Sequence, residues 1–368
     1  MGIYKSRISG LRAKLKSEAL DTLLVSSPEN RRYLSGFTAT DPQPGESSGF
    51  LFITRDQAIL ATDFRYKIQA EKELPQFELF IYEKGLVESL ESIVKKLNVQ
   101  RVGFESSHLT YALFEKFREV FVKSQLPIEL VPTRGIVEGM RAIKDLHEVN
   151  IIERSLQLTE SVFEEILLTV KPGMTEKQLA LRIEYLIKTK GAEDVAFPPI
   201  VASGPNSSMP HAIPTDREIQ AHEPIIIDIG AKFEGYCSDM TRTIFIGEPE
   251  EKIKEIYSIV RRAQLHAIQN IRAGIEVKMA DALARNIIVQ KGYGDYFGHS
   301  LGHGVGLAIH EAPRLNKNSE SILKENMIVT IEPGIYLPGI GGVRLENMVL
   351  IKKDRATVLN KNEDFYNF

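Results

Sequence analysis

The sequence predicts a two-domain protein, an α/β unit over residues 1–134 followed by a larger α+β unit over residues 135–368. Its length of 368 residues exceeds the roughly 100–200 that a single core usually organises. Strand-like and helix-like hydrophobic periods alternate through the first unit, the pattern of α/β architecture. A turn-rich stretch at 132–144 then gives way to long helices interleaved with pairs of strands.

The opening MGIYKSRISGLRAKLKSEAL sets apolar residues among basic ones at helical spacing and reads as the first helix. TLLVSS, GFLFIT, AILAT, FELFIY, RVGFES and IELVPT are rich in β-branched and aromatic residues and read as strands. LVESLESIVKKLN and LTYALFEKFREVF carry helical periods between them. Beyond the boundary, DLHEVNIIERSLQLTESVFEEILLTV is a long amphipathic helix. Another helix starts after KPGMT, with Thr175 as its N-cap and Gln178 completing a capping box. Two more helices are expected near 250–271 and 277–291.

Composition narrows the function. Apolar residues make up 43% and charged residues 26%, a globular mixture. A net charge of −3 with interspersed signs creates no field that gathers phosphate backbones or anionic lipid, so neither nucleic acid nor membrane is expected as a partner. No apolar run is long enough for a signal-peptide core or a membrane span. The single cysteine, Cys237, has no intramolecular partner for a disulfide and reads as a small core residue, and a reduced, cytoplasmic setting is expected.

The chemistry lies in the second unit. PIIIDIGAKFEGYCSDMTRTIFIG reads as a hairpin turning at Phe233-Glu234, which makes Asp228 and Asp239 a cross-strand pair. Such partners have Cβ atoms about 4.5–5.5 Å apart. A second hairpin, VTIEPGIYLPGIGGVRLENMVLI, turns about Gly339 and sets Glu332 opposite Glu346, with Arg344 on the same face. Most acids sit on solvated strand faces. These are embedded in IIIDIG, VTIEPG and VRLENMVL, which are not solvated-face sequences, and clustered carboxylates repel unless positive charge lies between them. Between the hairpins, FGHSLGHGVGLAIHEAP places histidines at 299, 303 and 310, out of 8 in the chain, among small residues. A lone core histidine is usually structural; three so close together point to a site. One imidazole with four carboxylates is a hard donor set suited to Mn²⁺ or Co²⁺, and four negative charges neutralise two divalent cations.

These residues also resemble a known family. The run from His299 through His303 to His310-Glu311, with the flanking DIG, SDMTRT, IEPG and RLEN blocks in order, resembles the signature of the proline-peptidase branch of the methionine aminopeptidase superfamily, the M24 metallopeptidases. The resemblance implies a pita-bread fold from about residue 136 onward, preceded by the α/β domain of prolidases and aminopeptidases P. It implies that Asp228 binds one metal ion, that Asp239 and Glu346 bridge two, and that His303 and Glu332 complete the other ion's shell. It makes His211, in SSMPHAIP, and His310 contacts to substrate and tetrahedral intermediate, His299 a further active-site histidine, and Arg344 the anchor of a ligating carboxylate. Glu332 is also a candidate to shuttle the proton from the attacking water.

The activity implied is removal of an N-terminal residue from peptides with proline in second position, as an aminopeptidase P, using two divalent ions per chain, Mn²⁺ first with Co²⁺, Fe²⁺ or Zn²⁺ also fitting. The alternative is a prolidase, which splits only Xaa-Pro dipeptides and needs a cation at the prolyl end; Arg31, Arg32 and Arg65 are candidate sources. Members of the family are often homodimers, and the N-terminal domain limits substrate length. A metal-free binding module or a creatinase-like hydrolase on the same fold would have lost ligands, and all five are intact here.

Overall fold

In the computed structural model, which describes residues 2–41, 43, 45–363 and 365–368, the alternating periods of the N-terminal third become one six-stranded sheet flanked by helices. Its elements are α1 (Gly2–Ser17), β1 (Thr22–Val25), α2 (Pro28–Ser35), β2 (Phe50–Thr54), β3 (Ala58–Asp63), α3 (Lys67–Glu73), β4 (Glu78–Tyr82), α4 (Leu86–Leu97), β5 (Arg101–Glu105), α5 (Tyr111–Lys123), β6 (Glu129–Thr133) and α6 (Glu138–Arg141). Met1, the first residue of the expected opening helix, lies outside the described residues. The sheet runs β4-β3-β2-β1-β5-β6, with β1 antiparallel to β2 and parallel to β5. Leu24, Phe52 and Val102 from the sheet meet Leu90, Ile93 and Phe117 from α4 and α5, the apolar stripes that their sequence periods predict. Helix α2, not expected from periodicity, is set by Ser27 as N-cap, Pro28 in the first turn and Gly36 at φ 86 as its stop.

The chain divides into two compact units, Met1–Arg141 and Ala142–Phe368. Residues 135–141, beyond the boundary expected at 134, stay with the first unit. The tie is specific: Asn30 Nδ2 donates to Glu138 Oε1 and Arg141 Nη1 to Asn30 Oδ1, both at 2.7 Å.

The second unit begins with α7 (Leu146–Leu167) and α8 (Glu176–Thr189), each opened by a capping box, Asp145 with Glu148 and Thr175 with Gln178. Strands β7 (Asp194–Val195), β8 (Ile200–Ser203), β9 (Ile225–Ile229), β10 (Ala231–Phe233), β11 (Tyr236–Cys237) and β12 (Met240–Ile244) follow. Helices α9 (Glu251–Asn270) and α10 (Val277–Gln290) lead to β13 (Gly302–Gly304), β14 (Glu311–Leu315), β15 (Ile328–Ile331), β16 (Gly334–Leu337), β17 (Gly341–Arg344), β18 (Asn347–Ile351) and β19 (Ala356–Val358). The sheets are antiparallel: β12-β9-β8, β11-β10-β7, β14-β13-β15-β18-β19 and the hairpin β16-β17. Tyr257, Val260 and Ala284 of α9 and α10 pack on Val329, Ile335 and Val343, so one face of the β15–β18 hairpin is core and the other is free to carry chemistry.

One expectation is corrected. The first hairpin turns at Glu234-Gly235, both at positive φ (47 and 84), the two-residue geometry that matches strand twist. Phe233 therefore pairs with Tyr236, and Asp228 with Thr241 instead of Asp239. The two aspartates still share a face, as diagonal neighbours, because the shift is an even number of residues. The second hairpin keeps its expected register: Ile331 pairs with Asn347 and Gly334 with Arg344, which sets Glu332 across from Glu346.

Gly230 interrupts the first hairpin between β9 and β10, where a Cβ would lie 2.1 Å from the Ser238 carbonyl oxygen and 2.9 Å from the Phe197 ring. Gly230→Ala should lower stability by roughly 1–3 kcal/mol, the usual penalty of overpacking. Thermal unfolding reads this directly, and an unchanged midpoint would contradict the close approach.

Candidate metal centre

The candidate metal ligands, histidines and Arg344 of the sequence line one cavity of about 720 Å³ in the second unit: His211, Asp228, Asp239, His299, His303, His310, Glu332, Arg344 and Glu346. Asp239, His303 and Glu346 form its floor, each offering a ligand atom within 4.8 Å of the others. Glu332 Oε1 and Asp239 Oδ2 both lie 3.4 Å from His303 Nε2. Asp228 joins through Arg344, whose Nη2 donates to Asp228 Oδ2 at 2.6 Å.

The supporting bonds to Glu346 and Asp228 use one oxygen of each and leave the other. Thr241 Oγ1 donates to Glu346 Oε2 at 2.7 Å, and Arg344 occupies Asp228 Oδ2. Asp228 Oδ1, Asp239 Oδ1 and Glu346 Oε1 are buried and, among the described residues, have no donor. A buried, unsatisfied carboxylate oxygen is costly, and several facing one another require positive charge. Burial, with the charge of Glu346, holds the Asp239 carboxyl well above its usual range; burial, with Glu332 and Asp228, does the same for Glu346. Burial, with the charge of Asp228, pushes Glu332 up to about 8 against the opposing pull of Arg344. This donor set fits divalent cations.

The histidines are fixed as ligation needs. His303 Nδ1 faces the Gly304 carbonyl at 3.0 Å, so Nδ1 carries the proton and Nε2 turns its lone pair to the acids. Burial lowers the His303 pKa to about 4, which keeps the ring neutral. His299 spends both nitrogens internally: Nδ1 donates to Ser300 O and Nε2 accepts from Tyr336 Oη, both at 2.8 Å. Burial lowers its pKa to about 3. Tyr336 Oη in turn accepts from Arg344 Nη1 at 3.0 Å, so His299 supports Arg344 and Asp228 and does not itself reach out to substrate. His310 sits edge-on to His303 with ring centroids 4.4 Å apart, and His211 lies exposed on the wall. Cys237 is buried, its Sγ 3.9 Å from the Leu307 carbonyl oxygen. Of the arginines proposed for the prolyl end, Arg31 is buried in the first unit against Asp41 and Ser48, and Arg65 pairs with Asp63.

Sequence reasoning missed Thr241, Thr330, Tyr336 and Arg314. Thr330 Oγ1 accepts from His303 N at 3.0 Å and donates to Glu332 Oε1 at 3.1 Å. The signal was present for two of them: Thr241 lies two residues after Asp239 and Thr330 two before Glu332, the period of one strand face.

Residues 150–353 match the metallopeptidase family M24, and residues 7–143 the creatinase/prolidase N-terminal domain. This chain belongs to metallopeptidase family M24. Among M24 relatives it is 39% identical to an Xaa-Pro dipeptidase of Pyrococcus furiosus, over 98% of this chain and 99% of that one. It superposes on the Xaa-Pro dipeptidase from Bacillus anthracis with a TM-score of 0.91 at 39% identity, covering 98% of each chain. The X-Pro aminopeptidase from Thermotoga maritima gives 0.84 at 36%, covering 94% of this chain and 98% of that one. The second unit therefore has the M24 pita-bread fold, and the protein is a metal-dependent hydrolase.

The acids give a pH signature. The Glu332 carboxyl, ordinarily near 4.5, stands at about 8 in the metal-free fold, so over that range the folded state keeps a proton that the unfolded chain releases, and stability falls as pH rises. The buried histidines act in the opposite sense, but only below their ordinary 6.5. Chelated protein should therefore lose stability between pH 6.5 and about 8, measured by urea unfolding, and saturating divalent cation should abolish the loss. A metal-free stability that climbs across this window would contradict the cluster.

Proposed function

We propose that this M24 peptidase hydrolyses the bond between an N-terminal residue and proline, as an Xaa-Pro dipeptidase, with aminopeptidase action on longer peptides as the second reading. Arg314 carries the choice. It is exposed on the cavity wall with Nε 3.2 Å from Ser300 Oγ, and among the described residues no carboxylate pairs with it. An Xaa-Pro dipeptide presents a free carboxylate one residue beyond the scissile bond, and a guanidinium binds carboxylate in forked geometry. The Pyrococcus relatives, named Xaa-Pro dipeptidases, support the same order, which reverses the one the sequence suggests; the Thermotoga maritima X-Pro aminopeptidase supports the second reading.

In this reading Asp228, Asp239, His303, Glu332 and Glu346 would hold two divalent ions. Manganese is the first choice, and cobalt, iron and zinc fit the same donors. The ions, when bound, supply the charge and Lewis acidity that make water nucleophilic near neutral pH. Glu332 takes up and returns a proton at its carboxylate. His310 and His211 donate to the scissile carbonyl oxygen as it becomes negative. Arg344 keeps Asp228 turned toward the floor. Phe197, Pro198, Pro199, Ile213 and Pro214 give the wall an apolar stretch that accepts a pyrrolidine ring, whose tertiary amide has no N–H to satisfy. We further assign the first unit to a domain that limits substrate length and the second to catalysis, in a cytoplasmic homodimer; the lone buried Cys237 agrees with a reducing compartment.

Metal-stripped protein reloaded with Mn²⁺ should cleave Gly-Pro and leave a Gly-Pro-Xaa tripeptide intact. Arg314→Ala should raise KM for Gly-Pro by roughly 10–100-fold with little change in kcat, the loss of one charge-assisted carboxylate contact. Tripeptide cleavage unaffected by that substitution would return the aminopeptidase reading, and no cleavage of either substrate would sink both.

A further inference from the structure

Glu176 lies outside the cavity and is completely buried at the start of α8, yet it takes no part in the chemistry above. Its carboxylate binds both ends of a loop. Oε1 accepts from Ser203 N at 2.7 Å and Ser203 Oγ at 2.8 Å; Oε2 accepts from Thr215 N at 3.0 Å and Thr215 Oγ1 at 2.6 Å. Asn206 Nδ2 donates to both oxygens, at 3.2 and 3.1 Å. The backbone repeats the attachment, since Lys177 N donates to Thr215 O at 3.1 Å and Glu176 N to Arg217 O at 3.1 Å.

The residues between these two attachments include His211. Pro210, just before it, gives its carbonyl to Arg344 Nη1 at 2.9 Å, and Ser207 Oγ accepts from Gly342 N at 2.8 Å. His211 itself is exposed and, among the described residues, its ring makes no hydrogen bond, so nothing but the loop backbone sets where the imidazole stands. Hydrogen bonds to a buried charged acceptor are the strong class, and a group displaced by 1 Å can lose about 100-fold in rate.

We propose that Glu176 is a positioning residue for the reaction: by closing the 203–215 loop at both ends, it fixes His211 over the cavity. The inference rests on the role given to His211 above. Glu176→Gln keeps the volume but replaces one acceptor oxygen with a donor facing donors. Thr215→Val removes the Oγ1 bond to Glu176, together with those Oγ1 accepts from Asn206 Nδ2 and Arg217 N, and leaves the carboxylate whole, which guards against a Glu176 variant that fails to fold.

The test is a double-mutant cycle on Xaa-Pro hydrolysis by Mn²⁺-loaded protein, with metal content checked for each variant. Glu176→Gln and Thr215→Val should each lower kcat by roughly 10–100-fold with KM less affected. In a His211→Ala background the same substitutions should change kcat by less than about 2-fold, because the group they position is gone. Losses that repeat in full in that background, or no loss from either variant, overturn the inference and leave the function of the site standing. A His211→Ala enzyme as active as wild type overturns the role of His211, and the inference with it.

Discussion

Mutual repulsion of buried carboxylates is the constraint on which the second unit depends. Asp228, Asp239, Glu332 and Glu346 meet in one cavity, and the only protein cation bonded to any of them, among the described residues, is Arg344, on Asp228. Four acids held together with one counter-charge are unfavourable without cations from outside. Among the described residues, oxygens of Asp228, Asp239 and Glu346 are buried without a donor. The energetic problem of the fold and the chemistry of the enzyme are thus the same feature.

The scaffold answers it by fixing three of the acids through hydrogen bonds: Thr241 holds Glu346, Thr330 holds Glu332 and Arg344 holds Asp228, while the backbone beneath is held by Arg242, which donates to the carbonyls of Thr241 and Glu346 and to Asn362 near the C-terminus. Burial brings Arg242 down to about 10, still charged at neutral pH, so it places positive charge under the hairpins without entering the site. Gly302 shows how tight this packing is: a Cβ there would lie 1.9 Å from the Thr330 carbonyl oxygen. Side chains held so firmly in advance suit the preorganised geometry that a metal site requires.

Much of this was legible in the sequence, for reasons that differ by element. The acids were readable because an ionisable residue in IIIDIG or VTIEPG contradicts its surroundings, and the Glu332–Glu346 register followed from a Gly-rich turn centred on Gly339. The Asp228–Asp239 register failed because Glu234, a residue that rarely takes positive φ, shares the turn with Gly235. Thr241 and Thr330 were within reach of the period-two argument. Glu176 and Arg242 were not: their partners lie 39 and 120 residues away, and no local pattern announces a bond that only tertiary folding creates. Arg314 was one arginine among many in the sequence, where Arg31, Arg32 and Arg65 stood as the candidates, until the cavity wall singled it out.

The most direct test of the metal centre is the number of ions the protein binds. Chelated protein dialysed against Mn²⁺ and assayed by elemental analysis should carry two ions per chain, falling to one or none in Asp239→Asn, which removes charge from one of the carboxylates proposed to hold them. A wild-type chain that takes up no ion, or an Asp239→Asn chain that takes up two as tightly as wild type, would contradict the claim that these buried acids exist to hold metal.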